Sequence, residues 1–128
     1  MSNEFSTFKK NISLLIAIPT LNSENTLRIT MNSILNQEKS GIDIKVVLLD
    51  SGSEDKTKEI FFSYQEKLKL NFYDLGKCSI GKARNFAIKN LITDYLIFID
   101  SDDAFTENRF LNDLKIINKN NNLDFLYG

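Results

Sequence analysis

Five short apolar runs punctuate the chain: ISLLIAI (12–18), IKVVLL (44–49), LNFYDL (70–75), YLIFI (95–99) and LDFLY (123–127). Runs of this length, rich in β-branched and aromatic residues, read as strands. Several are apolar almost without interruption, which implies burial on both faces, as in a parallel sheet. Between them, Leu27, Met31, Ile34 and Leu35 share one helical face, as do Phe110, Leu114 and Ile117. Asn22 or Ser23 can cap the first helix, Ser53 the second with Glu54 and Asp55 in its first turn, and Ser79 the third. The order is βαβαβαβαβ. It predicts right-handed crossovers and an α/β fold, a doubly wound and mostly parallel sheet with helices on both faces. Residues 1–11 read as an N-terminal extension and 12–128 as a single domain, with NKNNN (118–122) as a helix-to-strand turn. The chain stops at Gly128, directly after the fifth run, where such a sheet normally continues, so a truncated domain is expected.

Charge and composition narrow the choice of partners. Sixteen basic and seventeen acidic side chains give a net charge of −1, which offers no positive field for nucleic acid or an anionic membrane. The absence of histidine removes Ser-His and Cys-His catalytic pairs and the commonest transition-metal ligand. Any metal should therefore be hard and oxygen-ligated. The single cysteine, Cys78, excludes an internal disulfide and a cysteine-rich zinc site and suits a reducing, cytoplasmic setting. Lys9-Lys10 before NISLLIAIP is too short a signal-like segment, closed by Pro19, and no run approaches the ~18 apolar residues that span a bilayer.

Ligands of open α/β sheets bind outside the carboxyl ends of the strands. Those ends carry PTLN (19–22), DSGSED (50–55), GKCSIGKARN (76–85) and DSDD (100–103). In an extended chain Asp100 and Asp102 would point to one side while Ser101 and Asp103 turn away. Three carboxylates so close repel, and a divalent cation relieves the repulsion; a solvated acidic turn before the next helix is the alternative. Asp50, at a strand end with Gly52 to make the turn, could accept hydrogen bonds from a base or ribose, although DSGS is good turn chemistry in itself. GKCSIGKA has the G-x-x-x-x-G-K spacing of a P-loop, but Ala83 stands where a hydroxyl must hold Mg²⁺. No G-x-G-x-x-G follows any strand.

Taken together, IAIPTLNSENTLRITMNSILNQ, VVLLDSGSEDKTKEI, GKARNFAIKN and DYLIFIDSDDAFTENRF resemble the nucleotide-binding half of a family 2 glycosyltransferase with the GT-A, Rossmann-like fold. The resemblance implies that Pro19, Thr20 and Asn22 lie against the base and ribose, and that Asp50 sits in the base-recognition turn. Ser51 there replaces the second acidic residue common in uracil readers. Lys82 and Arg84 would face the ribose and diphosphate or brace the acidic loop, with Asn85 in the same motif. DSDD resembles the family's DxD motif: Asp100 and Ser101 would lie against the nucleotide, Asp102 with Asp100 would ligate Mn²⁺ or Mg²⁺ bridging the donor diphosphate, and Asp103 would stand behind them.

The implied donor is a nucleotide-diphospho-sugar, UDP first with dTDP or GDP as alternatives, and the implied acceptor is a glycan, a lipid-linked glycan or a glycoprotein. Departure of the nucleoside diphosphate builds negative charge that a bound cation stabilises, while a carboxylate base, beyond Gly128, assists the acceptor hydroxyl. Inversion is the outcome implied. Little transferase activity is expected of these 128 residues alone, and a cytoplasmic protein, peripheral at the inner membrane face, is implied. Exposed sheet surface or edge would favour a homo-oligomer. The competing readings are a P-loop-like NTPase using Gly76–Ala83 and a non-catalytic α/β assembly domain.

Overall fold

The computed structural model describes residues 12–119. It contains β1 (Ile12–Thr20), α1 (Leu27–Leu35), β2 (Ile42–Asp50), α2 (Thr57–Phe62), β3 (Lys69–Asp74), α3 (Ile80–Asn90), β4 (Tyr95–Phe98) and α4 (Arg109–Lys119). The extension 1–11 and the fifth strand expected at 123–127 lie outside the described residues.

The four strands form one all-parallel sheet in the order β3-β2-β1-β4. Strand alternation divides its side chains between two cores. Leu14, Ile16, Ile18, Ile44, Val46 and Leu48 face α1, α2 and Phe110 of α4, whereas Leu15, Ala17, Val47 and Leu49 face Ala83 and Ala87 of α3. Both faces of the central strands are thus covered where Leu14–Ile18 and Val46–Leu49 run apolar without a break, while the exposed Asp43 and Lys45 alternate only at the start of β2. The path steps from β1 to β2 to β3 in one direction and then jumps across β1 to β4. Crossovers of one hand must then place α3 opposite α1 and α2, as observed. The reversal between β1 and β4 is a topological switch point, where adjacent loops diverge and leave a crevice.

Two details position the strand ends there. Thr20 pairs with Asp50 and Asp50 with Asp74, so three strands finish level with one another. Pro19 is tolerated inside β1 because the pairing with β4 ends at Ala17–Phe98. Ala17 accepts the Ile99 N–H, so Pro19, two residues on, turns its missing donor towards the same side, past the last residue of β4.

The local starts of the helices depart from expectation in two places. Ser79 caps α3 through its Oγ, which accepts the Lys82 N–H at 3.1 Å. Neither Asn22 nor Ser23 caps α1 with its side chain: the helix is preceded by Thr26, which makes no side-chain cap bond, and Ser23 contributes only its carbonyl, which accepts the N–H groups of Thr26 and Leu27. Ser53 does not cap α2 either. The helix begins later, at Thr57, and Asp55 Oδ1 accepts the Thr57 N–H at 2.9 Å, because Ser53 is already held by Asp50.

Candidate functional site

The exits of β1, β2 and β4 and the start of α3 meet at the carboxyl edge. Asp50 is 4% exposed and organises the second exit. Its Oδ2 accepts the N–H groups of Gly52 (3.2 Å) and Ser53 (2.8 Å), and its Oδ1 accepts the Ser53 hydroxyl (2.5 Å). Gly52 takes φ +94°, which an L side chain rarely adopts. The carboxylate anticipated as a base contact therefore builds the turn with both oxygens. Ser51 donates its N–H to the Thr20 carbonyl and sets its hydroxyl 3.4 Å from Cys78 Sγ.

The first exit is tied to the second by a run of polar cross-links. Asn22, at φ +48°, receives the Glu54 N–H on Oδ1 (2.8 Å) and donates its own N–H to Ser53 Oγ (2.8 Å). The Ser23 N–H reaches Thr57 Oγ1 (2.8 Å), the Glu24 N–H reaches Asp55 Oδ2 (3.1 Å), and the Lys56 N–H reaches Glu24 Oε1 (3.1 Å). Partial burial works to raise the Asp55 carboxyl, but the hydroxyl and N–H of Thr57 and the N–H of Glu24 outweigh it and hold the group below its ordinary value. Pro19 and Thr20 are buried, and the Thr20 hydroxyl is spent on the Ile18 carbonyl (3.0 Å). Of Pro19, Thr20 and Asn22, Asn22 alone is exposed, two residues past the end of β1.

The acidic segment is a turn rather than an extended strand. β4 ends at Phe98, and the Asp103 N–H bonds back to the Asp100 carbonyl at 3.1 Å, so strand alternation cannot align Asp100 with Asp102. The side chains of 100–103 are differentiated instead. Asp100 lies 3.7 Å from Arg84 Nη2, whose guanidinium stacks 5.6 Å from the centre of the Phe98 ring. Ser101 hydrogen-bonds Ser23 hydroxyl to hydroxyl at 2.6 Å. Asp103 Oδ1 accepts the Ala104 N–H. Among the described residues Asp102 alone of the three carboxylates has neither a hydrogen bond nor an ion pair, and it is exposed.

Lys82 and Asn85 are exposed on the first turns of α3, while Ala83 between them is fully buried against the sheet. The residue that would have to carry a P-loop hydroxyl is thus a core residue. Among the described residues no three histidine, cysteine or carboxylate side chains form a closed metal cage. Asp100 and Asp102 fit the other kind of site, in which one or two carboxylates hold Mg²⁺ or Mn²⁺ and phosphate oxygens and water fill the remaining positions.

Sequence reasoning missed Ser23, Glu24, Asp55 and Thr57, whose bonds span the two exits, and Thr30 and Ser33 of α1 with Gln37 just past its end, which bond the segment after the acidic turn. The i, i+3 spacing of Thr30 and Ser33 beside the apolar helix face marks a polar row but carries no sign of what it bonds.

The strand order, the switch point and the polar groups gathered there define a doubly wound α/β domain of the GT-A, Rossmann-like type. Residues 15–127 match the model of glycosyl transferase family 2, and the chain belongs to that family. It is 35% identical over 111 residues to an uncharacterized glycosyltransferase of Rickettsia typhi, an alignment covering 87% of this chain and 34% of the relative. It is 36% identical over 90 residues to the Staphylococcus aureus poly(ribitol-phosphate) beta-N-acetylglucosaminyltransferase TarS, covering 69% of this chain and 16% of that protein. The crystal structure of TarS 1-349 in complex with UDP-GlcNAc superposes with a TM-score of 0.74 at 31% identity, over 86% of this chain and 32% of that one. A mannosyltransferase from Pyrobaculum calidifontis, in complex with GDP-Man and Mn²⁺, shares the fold with a TM-score of 0.69 at 20% identity, over 84% of this chain and 32% of that one. The chain thus spans about a third of the length of the Rickettsia relative.

Proposed function

We propose that these residues form the donor-binding part of a glycosyltransferase and take a nucleotide-diphospho-sugar, UDP-linked in the first instance, at the switch point between β1 and β4. The observation that carries the reading is the state of Asp102: its neighbours are committed to Arg84 and to the turn backbone, while its own carboxylate stands unpartnered on a turn anchored to both strand exits. The UDP-GlcNAc complex of the 31%-identical relative supports the choice of nucleotide.

In this reading Asp102, with Asp100, would hold Mn²⁺ or Mg²⁺. Bound there, the cation supplies Lewis-acid stabilisation of the charge that develops on the departing nucleoside diphosphate. Arg84 keeps Asp100 placed and adds positive charge beside it, and the exposed Lys82 adds more one helical turn from the cap. The turn built by Asp50, Gly52 and Ser53 offers its rim, Ser51 and Cys78 included, to the base. Transfer to a glycan acceptor with inversion, and weak transfer by these residues alone, complete the proposal.

Calorimetric titration with UDP, GDP and dTDP, each with and without Mn²⁺, tests it on the native chain and on Asp102→Ala. A nucleoside diphosphate should bind tightly only with metal, and Asp102→Ala should lose that dependence. Equal binding by the two proteins would remove Asp102 from the site.

A further inference from the structure

Thr30 and Ser33 lie three residues apart on α1 and Gln37 four further on, two residues past its end; Thr30 is fully buried while Gln37 is 6% exposed. Polar side chains in such positions are costly unless satisfied. Here they are satisfied by the main chain of a single segment, residues 103–110. The Thr30 hydroxyl donates to the Asp103 carbonyl. Ser33 Oγ donates to the Thr30 carbonyl (2.7 Å) and accepts the Phe105 N–H (3.0 Å). Gln37 donates from Nε2 to the Thr106 carbonyl (2.7 Å) and accepts the Phe110 N–H on Oε1 (3.0 Å).

None of these bonds recognises a partner side chain; all of them fix where the backbone runs. Apolar packing of Phe105 and Phe110, whose rings meet at 4.9 Å, would hold the segment against the core while tolerating small slides. Hydrogen bonds at set intervals do not tolerate them. Asp103 links this row to the acidic turn, because its carbonyl takes the Thr30 hydroxyl while its N–H closes the turn on Asp100.

We propose that Thr30, Ser33 and Gln37 are positioning residues for the acidic turn. They hold the turn that carries Asp100 and Asp102, the two carboxylates that would receive a divalent cation. The assignment rests on the donor-site reading above and extends it to residues that touch neither ligand nor metal.

The test compares the chain with Thr30→Val, which keeps the shape and removes the donor, Thr30→Ser, which restores a hydroxyl, and Ser33→Ala, which removes the acceptor of the Phe105 N–H. UDP affinity is measured by calorimetry with and without Mn²⁺, and folding by circular dichroism. Thr30→Val and Ser33→Ala should weaken binding with Mn²⁺ by about tenfold, the lower end of the loss seen when outer partners of metal ligands are removed. Metal-free UDP affinity should stay unchanged, and Thr30→Ser should bind like the native chain. Equal losses with and without Mn²⁺, or no loss in either folded variant, would overturn the proposal and leave the donor site standing. A native chain whose UDP affinity ignores Mn²⁺ would instead overturn the donor-site reading, and this assignment with it.

Discussion

The hydroxyls of Ser23 and Ser101 lie 2.6 Å apart and join the exit of β1 to the exit of β4 across the point where the winding of the sheet reverses. A crevice between diverging loops is open by construction, and this bond is a direct side-chain tie between its two walls. In a double-mutant cycle, Ser23→Ala and Ser101→Ala should show a coupling of about 0.5–1.5 kcal/mol, the range of a net intramolecular hydrogen bond. Urea unfolding of the two single variants and the double variant measures it, and additive losses would show that the two loops are held independently.

Asp50 is a second organiser of the site. Its carboxylate accepts three hydrogen bonds from the turn that follows it, so Asp50→Asn turns an amide donor either towards two main-chain N–H groups or towards the Ser53 hydroxyl, which must then give up its own donation. The loss should reach about 1.5–3 kcal/mol, as for hydrogen bonds to a charged group. It should appear in the unfolding free energy of the ligand-free chain. A variant of native stability that only binds nucleotide less well would return Asp50 to the role of direct base contact.

The strands were legible because a parallel sheet covered on both faces writes itself as unbroken apolar runs, and their ends moved by few residues: β2 begins at Ile42 rather than 44, and β4 stops at Phe98. The acidic turn was legible as a cluster, since three aspartates after YLIFI have few structural uses, but its shape was not. The bend at 101–102 depends on the backbone bond from Asp103 to Asp100 and on Ser23, far away in sequence. The cross-links of 22–24 to 53–57 and of α1 to 103–110 were hidden for the same reason. Hydrophobic periodicity reports which face a residue takes, whereas a polar pair separated by 31 or 73 positions leaves no period.

Gly52 isolates a purely conformational effect. A Cβ added there would meet nothing closer than the Lys77 nitrogen at 3.8 Å, an ordinary contact, so space is not the constraint. The φ of +94° is the constraint, and Gly52→Ala should cost about 1–3 kcal/mol through backbone strain. Thermal unfolding of the variant checks this, and an unchanged midpoint would mean that the turn relaxes without cost.

Asp55 gives the fold a dependence on acid. Its carboxyl is held below the ordinary 3.8 by Thr57 and Glu24, so in the folded chain it stays ionised at a pH where the unfolded chain already takes up a proton. A group of that sign stabilises the fold in full above its unfolded value, and the contribution disappears as the pH falls through the folded one. Stability measured by urea between about pH 5 and pH 3 should fall less steeply for Asp55→Asn than for the native chain, because the variant has no proton to bind there. The variant should also be the less stable at neutral pH, where the native carboxylate accepts the Thr57 hydroxyl and two main-chain N–H groups. Parallel pH profiles for the two proteins would mean that the bonds joining 22–24 to α2 draw nothing from the ionisation of Asp55.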